Sequence, residues 1–354
     1  MQAHLYGESR NLGYACSYIP IEIIMAAGMG PYRILPEPAP SEADAYIHPQ
    51  TCFFVKSLLA NILKGAYSQI NGIVLANSCD AMSRLADLVQ QYSPDLPVMF
   101  LDVPKKKDDD SVKYFATELM RFAKRLTKQY QISGITKDSL NKAIKACNQV
   151  RRLMEKVFAL QTSGNTCEKC SDIFKLCMDG TRQDISSFTK SINDILSRMQ
   201  PIGPSDAKSR IVLTGNAIFN ANLIEHIENA GAAVAVVDTC LGERHYGTLV
   251  EEGTADPYEA LAKRYLMKPP CARMEGIGQR ILQLKEKVAG TGANGVICIV
   301  PKYCDFLLYE IPSLKDNIGV PFLICENDYS MDNEQIKARV DAFLEILEGG
   351  GRNA

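Results

Sequence analysis

The sequence predicts an α/β fold of two similar parallel-sheet domains flanking a helical segment. Three observations predict it: short apolar runs alternate with helical patterns, the middle of the chain carries no strand signal, and one supersecondary unit occurs twice. Residues 72–76, 98–103, 210–214, 233–237, 295–300 and 321–324 are short, largely apolar runs, as expected of strands covered on both faces. Residues 21–27, 57–63, 82–91, 220–229 and 276–288 place apolar side chains three and four apart, the pattern of helices laid on a sheet. From Ser111 to about Met199 the sequence reads as long amphipathic helices, including 112–130 and 137–160, and Pro201 to Pro204 marks the boundary beyond them. The expected organisation is an N-terminal α/β domain over 1–110, a helical insert over 111–204 and a C-terminal α/β domain over 205–354, the two α/β units being Rossmann- or flavodoxin-like with a ligand cleft between them.

The repeat is explicit. Asn71-Gly-Ile-Val-Leu-Ala-Asn-Ser-Cys79-Asp80 leads through a helix to Leu96-Pro-Val-Met-Phe-Leu-Asp102. Asn294-Gly-Val-Ile-Cys-Ile-Val-Pro-Lys-Tyr-Cys304-Asp305 leads through another to Val320-Pro-Phe-Leu-Ile-Cys-Glu326. The step from the Cys-Asp cysteine to the proline is 18 residues in the first copy and 17 in the second.

The 354 residues are 46% hydrophobic, enough to bury a sizeable core. Thirty-nine basic residues face 41 acidic ones, which removes the electrostatic reason to expect nucleic acid or an anionic membrane as partner. No apolar run approaches the roughly 20 residues of a membrane span, and the start lacks the basic and apolar segments of a signal peptide, so a cytoplasmic location is expected. Twelve cysteines in such a compartment point away from structural disulfides. The four histidines, His4, His48, His226 and His245, are scattered without zinc-site spacing, which leaves thiolate-only ligation of the kind iron–sulfur clusters use.

Each half has two cysteines upstream of its Cys-Asp. The resulting sets are Cys16, Cys52 and Cys79, with gaps of 36 and 27, and Cys240, Cys271 and Cys304, with gaps of 31 and 33. They fall at strand-to-loop positions, where open α/β sheets place their sites. Asp80 and Asp305 are expected to cap the helices that follow, and Pro20 with Glu22 to open a helix after Cys16, so that backbone amides face the sulfurs. Cys298, Cys325 and Cys147 read as small buried hydrophobes. Cys167, Cys170 and Cys177 form a CxxCx6C group without a fourth ligand; an unliganded role is expected, with a further metal site as the alternative.

Two motifs are set aside. Gly290-Thr-Gly292-Ala-Asn-Gly295 precedes a strand instead of opening a helix, and no GxxxxGK[ST] occurs. The run Lys105-Lys-Lys-Asp-Asp-Asp110 reads as a solvated loop, with partner docking as the alternative.

The sequence resembles the D-component family of 2-hydroxyglutaryl-CoA dehydratase, which includes benzoyl-CoA reductase subunits. The resemblance rests on Gly13-Tyr-Ala-Cys16-Ser-Tyr-Ile-Pro20-Ile-Glu22 with Ala26-Ala-Gly28, on Cys79-Asp80 with Leu101-Asp-Val-Pro104, and on Glu118-Leu119 and Asn148 with Arg151. Glu326-Asn-Asp328-Tyr, Arg339 and Ala342-Phe-Leu-Glu345 complete it. Within the family the sequence is closer to the double-cubane cluster proteins, which have six cysteines, three per domain, around two 4Fe-4S halves joined by a bridging sulfide. Cys16, Cys52, Cys79, Cys240, Cys271 and Cys304 match that number and order. The resemblance implies an 8Fe-9S double cubane in the inter-domain cleft and a homodimer. It also implies a separate ATP-hydrolysing iron–sulfur activator as electron donor, and reduction of small molecules. The alternatives are a 2-hydroxyacyl-CoA dehydratase subunit with a single 4Fe-4S cluster and a non-enzymatic cluster carrier.

Overall fold

A computed structural model describes residues 10–37, 40–163, 168–199, 207, 209–328 and 334–349. Its framework is two four-stranded sheets, all parallel, with the same strand order. The first holds β1 (Asn11–Tyr14), β2 (Gly30–Arg33), β3 (Ile73–Ala76) and β4 (Val98–Leu101) in the order β2-β1-β3-β4. The second holds β5 (Arg210–Gly215), β6 (Ala233–Asp238), β7 (Gly295–Pro301) and β8 (Phe322–Asn327) in the order β6-β5-β7-β8. The repeat read from the sequence is therefore a repeat of architecture. Central strands β3 and β7 are buried at every residue, which is why both read as unbroken apolar runs. β1 and β2 escape sequence reading because Asn-Leu-Gly-Tyr and Gly-Pro-Tyr-Arg carry no apolar run; Pro31 is tolerated because β2 lies at the sheet edge.

Thirteen α-helices complete the described chain. In the first half these are α1 (Ile21–Ala26), α2 (Phe53–Leu63) and α3 (Asp80–Tyr92). The helical stretch follows as α4 (Asp109–Tyr130), α5 (Lys137–Ser163), α6 (Cys170–Gly180) and α7 (Ile185–Arg198). The second half adds α8 (Asn222–Asn229), α9 (Glu243–Tyr246), α10 (Pro257–Met267), α11 (Ile277–Thr291), α12 (Asp305–Ile318) and α13 (Glu334–Gly349). α4 starts where the Asp108 carboxylate accepts the Ser111 amide at 2.8 Å, and it buries Val112, Phe115, Leu119, Phe122 and Leu126 at helical spacing. Each such side chain contributes about 1.5–3 kcal/mol relative to exposure. The apolar stripe of α4 lies on β4 and α10, whereas α5 packs against α1, α7 and β6. The helical stretch thus ties the two sheets to one another. Pro201 to Pro204, read as a boundary, lies outside the described residues.

The halves share one apolar core, in which Leu58, Ile73 and Leu75 join Val212, Val296 and Val300. Phe54 and Phe219 meet across it with ring centroids 5.2 Å apart. In an order 2-1-3-4 the chain reverses direction of winding between strands 1 and 3, so a crevice opens beyond their carboxyl ends. The residues after β1 and β3 face that crevice in the first sheet, and those after β5 and β7 in the second. Gly292 closes α11 with a φ of 63° and β7 begins at Gly295, so the glycine motif at 290–295 is a helix-to-strand turn, as its place in the sequence indicates. Among the described residues no helix is long and apolar enough to cross a membrane.

Candidate functional site

The structure regroups the six cysteines. Cys52, Cys79 and Cys304 line one cavity of ≈ 220 Å³, and Cys16, Cys240 and Cys271 line another of ≈ 50 Å³. Each group draws on both halves of the chain, unlike the sets read from spacing. Cys79 and Cys304 are equivalent, each following the third strand of its sheet. Cys16 and Cys240 are not: one follows β1, the other follows β6, the counterpart of β2. By strand register the place equivalent to Cys16 in the second sheet is Gly215, and the next residue, Asn216, donates from Nδ2 to Cys304 Sγ at 3.0 Å.

Cys52, Cys79 and Cys304 occupy the N-cap positions of α2, α3 and α12, all without a side-chain cap hydrogen bond. Three helix amino termini therefore converge on three sulfurs, and their unpaired amides and dipoles favour negative charge there. Asp80 and Asp305 were expected to cap these helices; they lie in the first turn instead, because the preceding cysteine takes the cap position. Pro20 likewise sits at the N-cap of α1, one residue ahead of the helix. The neighbouring Cys304 sulfur and burial push Cys52 well up, whereas Cys52 and Arg273 pull Cys304 down against the effect of burial.

The second group is surrounded by buried cations. Arg33, Arg244 and Arg273 line its cavity, and Arg273 also lines the cavity of the first group, so its guanidinium lies between the two. Arg33 Nη2 approaches Cys240 Sγ at 3.8 Å and Arg273 Nη2 approaches Cys304 Sγ at 3.7 Å. Burial alone would raise Cys271, but Arg273, its backbone amide, Arg244 and Arg280 outweigh that and lower it. Cys16 is pushed up by burial and by Cys271 beside it. Lys268, 2% exposed, donates to the Ser17 carbonyl and stacks on Tyr18, fixing the loop that carries Cys16. Burial and Arg264 press Lys268 well below the usual lysine range.

The run at 105–110 is not simply a solvated loop. Lys105 Nζ donates to the Asn77 carbonyl, and Lys107 Nζ donates to the Lys268 carbonyl at 3.0 Å and to Gln279 Oε1 at 2.9 Å. Desolvation lowers both lysines, while Cys16, Cys271 and Cys79 oppose the shift at Lys105. The run passes from β4 to α4 with Lys106 and Asp108 to Asp110 exposed, while Lys107 and the Lys105 carbonyl, which accepts from the Glu275 amide at 3.1 Å, are held against the second half.

These residues fit a polynuclear anionic group. Nε and Nη1 of Arg33 and Nε of Arg273 are buried without a hydrogen-bond partner among the described residues, a costly state that a negative centre relieves. Among the described residues no three His, Cys, Asp or Glu side chains close on a single ion. Cubane ligands are not expected to, since each thiolate binds a separate iron. Cys298, Cys325 and Cys147 are buried, as read. Cys170 and Cys177 are buried too, Cys170 accepting from Gln161 Nε2 at 2.8 Å, and Cys167 lies outside the described residues.

Sequence reading missed Arg33, Arg244, Arg273 and Lys268. For Arg244, Lys268 and Arg273 the only signal was charge close in sequence to a cysteine, as in Cys271-Ala-Arg273, which is common on any surface; Arg33 has no cysteine near it in sequence.

Comparison with known proteins gives a consistent result. The family described as 2-hydroxyglutaryl-CoA dehydratase, D-component, matches residues 16–347. The (R)-phenyllactyl-CoA dehydratase beta subunit of Clostridium sporogenes is 24% identical, covering 93% of this chain and 90% of that protein. A benzoyl-CoA reductase subunit of Thauera aromatica is 26% identical over 95% of this chain and 90% of its own length. The (R)-2-hydroxyglutaryl-CoA dehydratase subunit beta of Acidaminococcus fermentans is 22% identical, with 93% and 90% covered.

Proposed function

The chain belongs to the 2-hydroxyglutaryl-CoA dehydratase D-component family, and from that premise we propose that it is an iron–sulfur reductase charged by a separate ATP-hydrolysing activator and acting on small molecules. The observation that carries the proposal is the meeting of six cysteines in two adjacent groups that share Arg273. Cys16, Cys52, Cys79, Cys240, Cys271 and Cys304 would hold the cofactor, an 8Fe-9S double cubane, with three thiolates for each cubane. When bound, that group stores low-potential electrons and offers an open position to substrate.

The chain's own residues supply the rest. Helix amino termini and Arg273 offset the negative charge of the thiolates, and Lys105 with Lys268 close the crevice against water. The sequence has no phosphate-binding GxxxxGK[ST] loop, which assigns ATP hydrolysis to the partner.

A second reading, a 2-hydroxyacyl-CoA dehydratase subunit, is favoured by a different observation. A cleft of ≈ 750 Å³, lined by Phe158, Tyr246, Leu249 and Lys287, lies across Arg244 from the small cavity and is of a size to take a thioester substrate. Incubation with activator, ATP and reductant, with either a hydrazine-type compound or a 2-hydroxyacyl-CoA as substrate, separates the two. Reduction of the small compound without coenzyme A supports the proposal. Dehydration of the thioester by the purified chain alone overturns it in favour of the second reading.

A further inference from the structure

Arg33 ends β2 and is 1% exposed. Its main chain is tied down, the amide donating to the Thr181 carbonyl at 2.9 Å and the carbonyl accepting from Arg182 Nε at 3.2 Å. Its side chain is not. The guanidinium lies 5.2 Å from the Tyr14 ring centroid, and Nη2 is 3.8 Å from Cys240 Sγ, while Nε and Nη1 have no hydrogen-bond partner among the described residues. The neighbouring arginines differ. Arg244 pairs with Asp238 at 3.3 Å and donates to the carbonyls of Gly215 and Asp238, and Arg273 is shared between the two cysteine groups. A buried guanidinium with two idle donors weakens a fold unless something negative joins it. The cavity it lines is where Cys16, Cys240 and Cys271 meet.

We propose that Arg33 is a positioning residue that donates charge-assisted hydrogen bonds to the Cys240 thiolate and to the sulfide-bearing anion held beside it, and that it raises the reduction potential of that centre. The proposal rests on the iron–sulfur reading above. Reduction adds negative charge, and a fixed cation at hydrogen-bond range stabilises the reduced state more than the oxidised one. The same reasoning makes Arg33 a burden on the metal-free chain, where two of its donors have no hydrogen-bond partner among the described residues.

Arg33→Met and Arg33→Lys test this through two readouts besides turnover. The metal-free Arg33→Met chain should denature at the same or a higher urea concentration than the parent. After anaerobic reconstitution its reduction midpoint, titrated by electron paramagnetic resonance, should be more negative than the parent's, with Arg33→Lys between the two. Assembly in Arg33→Lys but not in Arg33→Met, with both metal-free chains folded, also supports the role of the charge. Equal midpoints in iron-loaded parent and Arg33→Met overturn the assignment while leaving the cluster reading intact. A marked loss of metal-free stability in Arg33→Met, or failure of both folded variants to assemble, overturns it as well. A parent chain that takes up no iron overturns this inference together with the reading beneath it.

Discussion

Cys52 and Cys304 line one cavity, although one caps a helix of the first half and the other a helix of the second. A centre built there needs both halves docked. Cys52→Ser and Cys304→Ser should therefore behave alike, each losing most of the bound iron, and so should Cys79→Ser, because each sulfur serves a separate iron. Iron analysis of the anaerobically purified variants checks this; a full complement in Cys304→Ser contradicts it.

Cys298 and Cys325 lie inside β7 and β8 with no exposure, and Cys170 and Cys177 lie in helical cores. Alanine at any of the four should leave iron content unchanged and cost about 1 kcal/mol of packing, read by urea denaturation. Loss of iron in Cys298→Ala with retention in Cys271→Ser would falsify the assignment of ligands.

Glu22 is fully buried, with Arg151 Nη2 at 2.6 Å and the Tyr265 hydroxyl donating at 2.8 Å. Burial alone would raise its carboxyl, but Arg151 and Arg264 outweigh burial and hold it below the ordinary value of 4.5. A lowered folded pKa gives stability that is present above pH 4.5 and lost as pH falls through the folded value. Glu22→Gln should remove that acid slope. At neutral pH it should cost about 3–5 kcal/mol, since Arg151 is left unpaired. Circular dichroism of metal-free parent and variant across pH 3–7 provides the comparison, and parallel acid curves contradict the account.

Lys268 reaches from beyond α10 to the Ser17 carbonyl and hydroxyl, locking the loop that bears Cys16. Lys268→Met should speed amide exchange at Ser17 and Ile19 by about tenfold, as loss of a buried hydrogen bond implies. Exchange unchanged at those amides, measured by mass spectrometry, argues against the lock.

How much of this the sequence reveals depends on whether a feature is local. β3 and β7 were readable because burial on both faces makes them uniformly apolar, and the helices because their stripes repeat. β1 and β2 were not, since a glycine, a proline and an arginine break their pattern, and Arg33 is buried beside the cavity that Cys16, Cys240 and Cys271 line. The six cysteines could be singled out by their loop positions. Their partition could not: the spacing of 63 residues from Cys16 to Cys79 and 64 from Cys240 to Cys304 matches by count, although Cys16 and Cys240 follow non-equivalent strands. Contacts such as Arg273 with Cys304 and Lys107 with Gln279 arise only when distant segments dock.

Iron and acid-labile sulfide measured per chain after anaerobic isolation test the central claim most directly, because six thiolates in two groups complete two cubanes where three complete one. The account predicts about eight irons per chain with a slight excess of sulfide. A reproducible value near four would show that only one group is occupied and return the chain to the dehydratase-subunit reading; iron absent after reconstitution would contradict the account altogether.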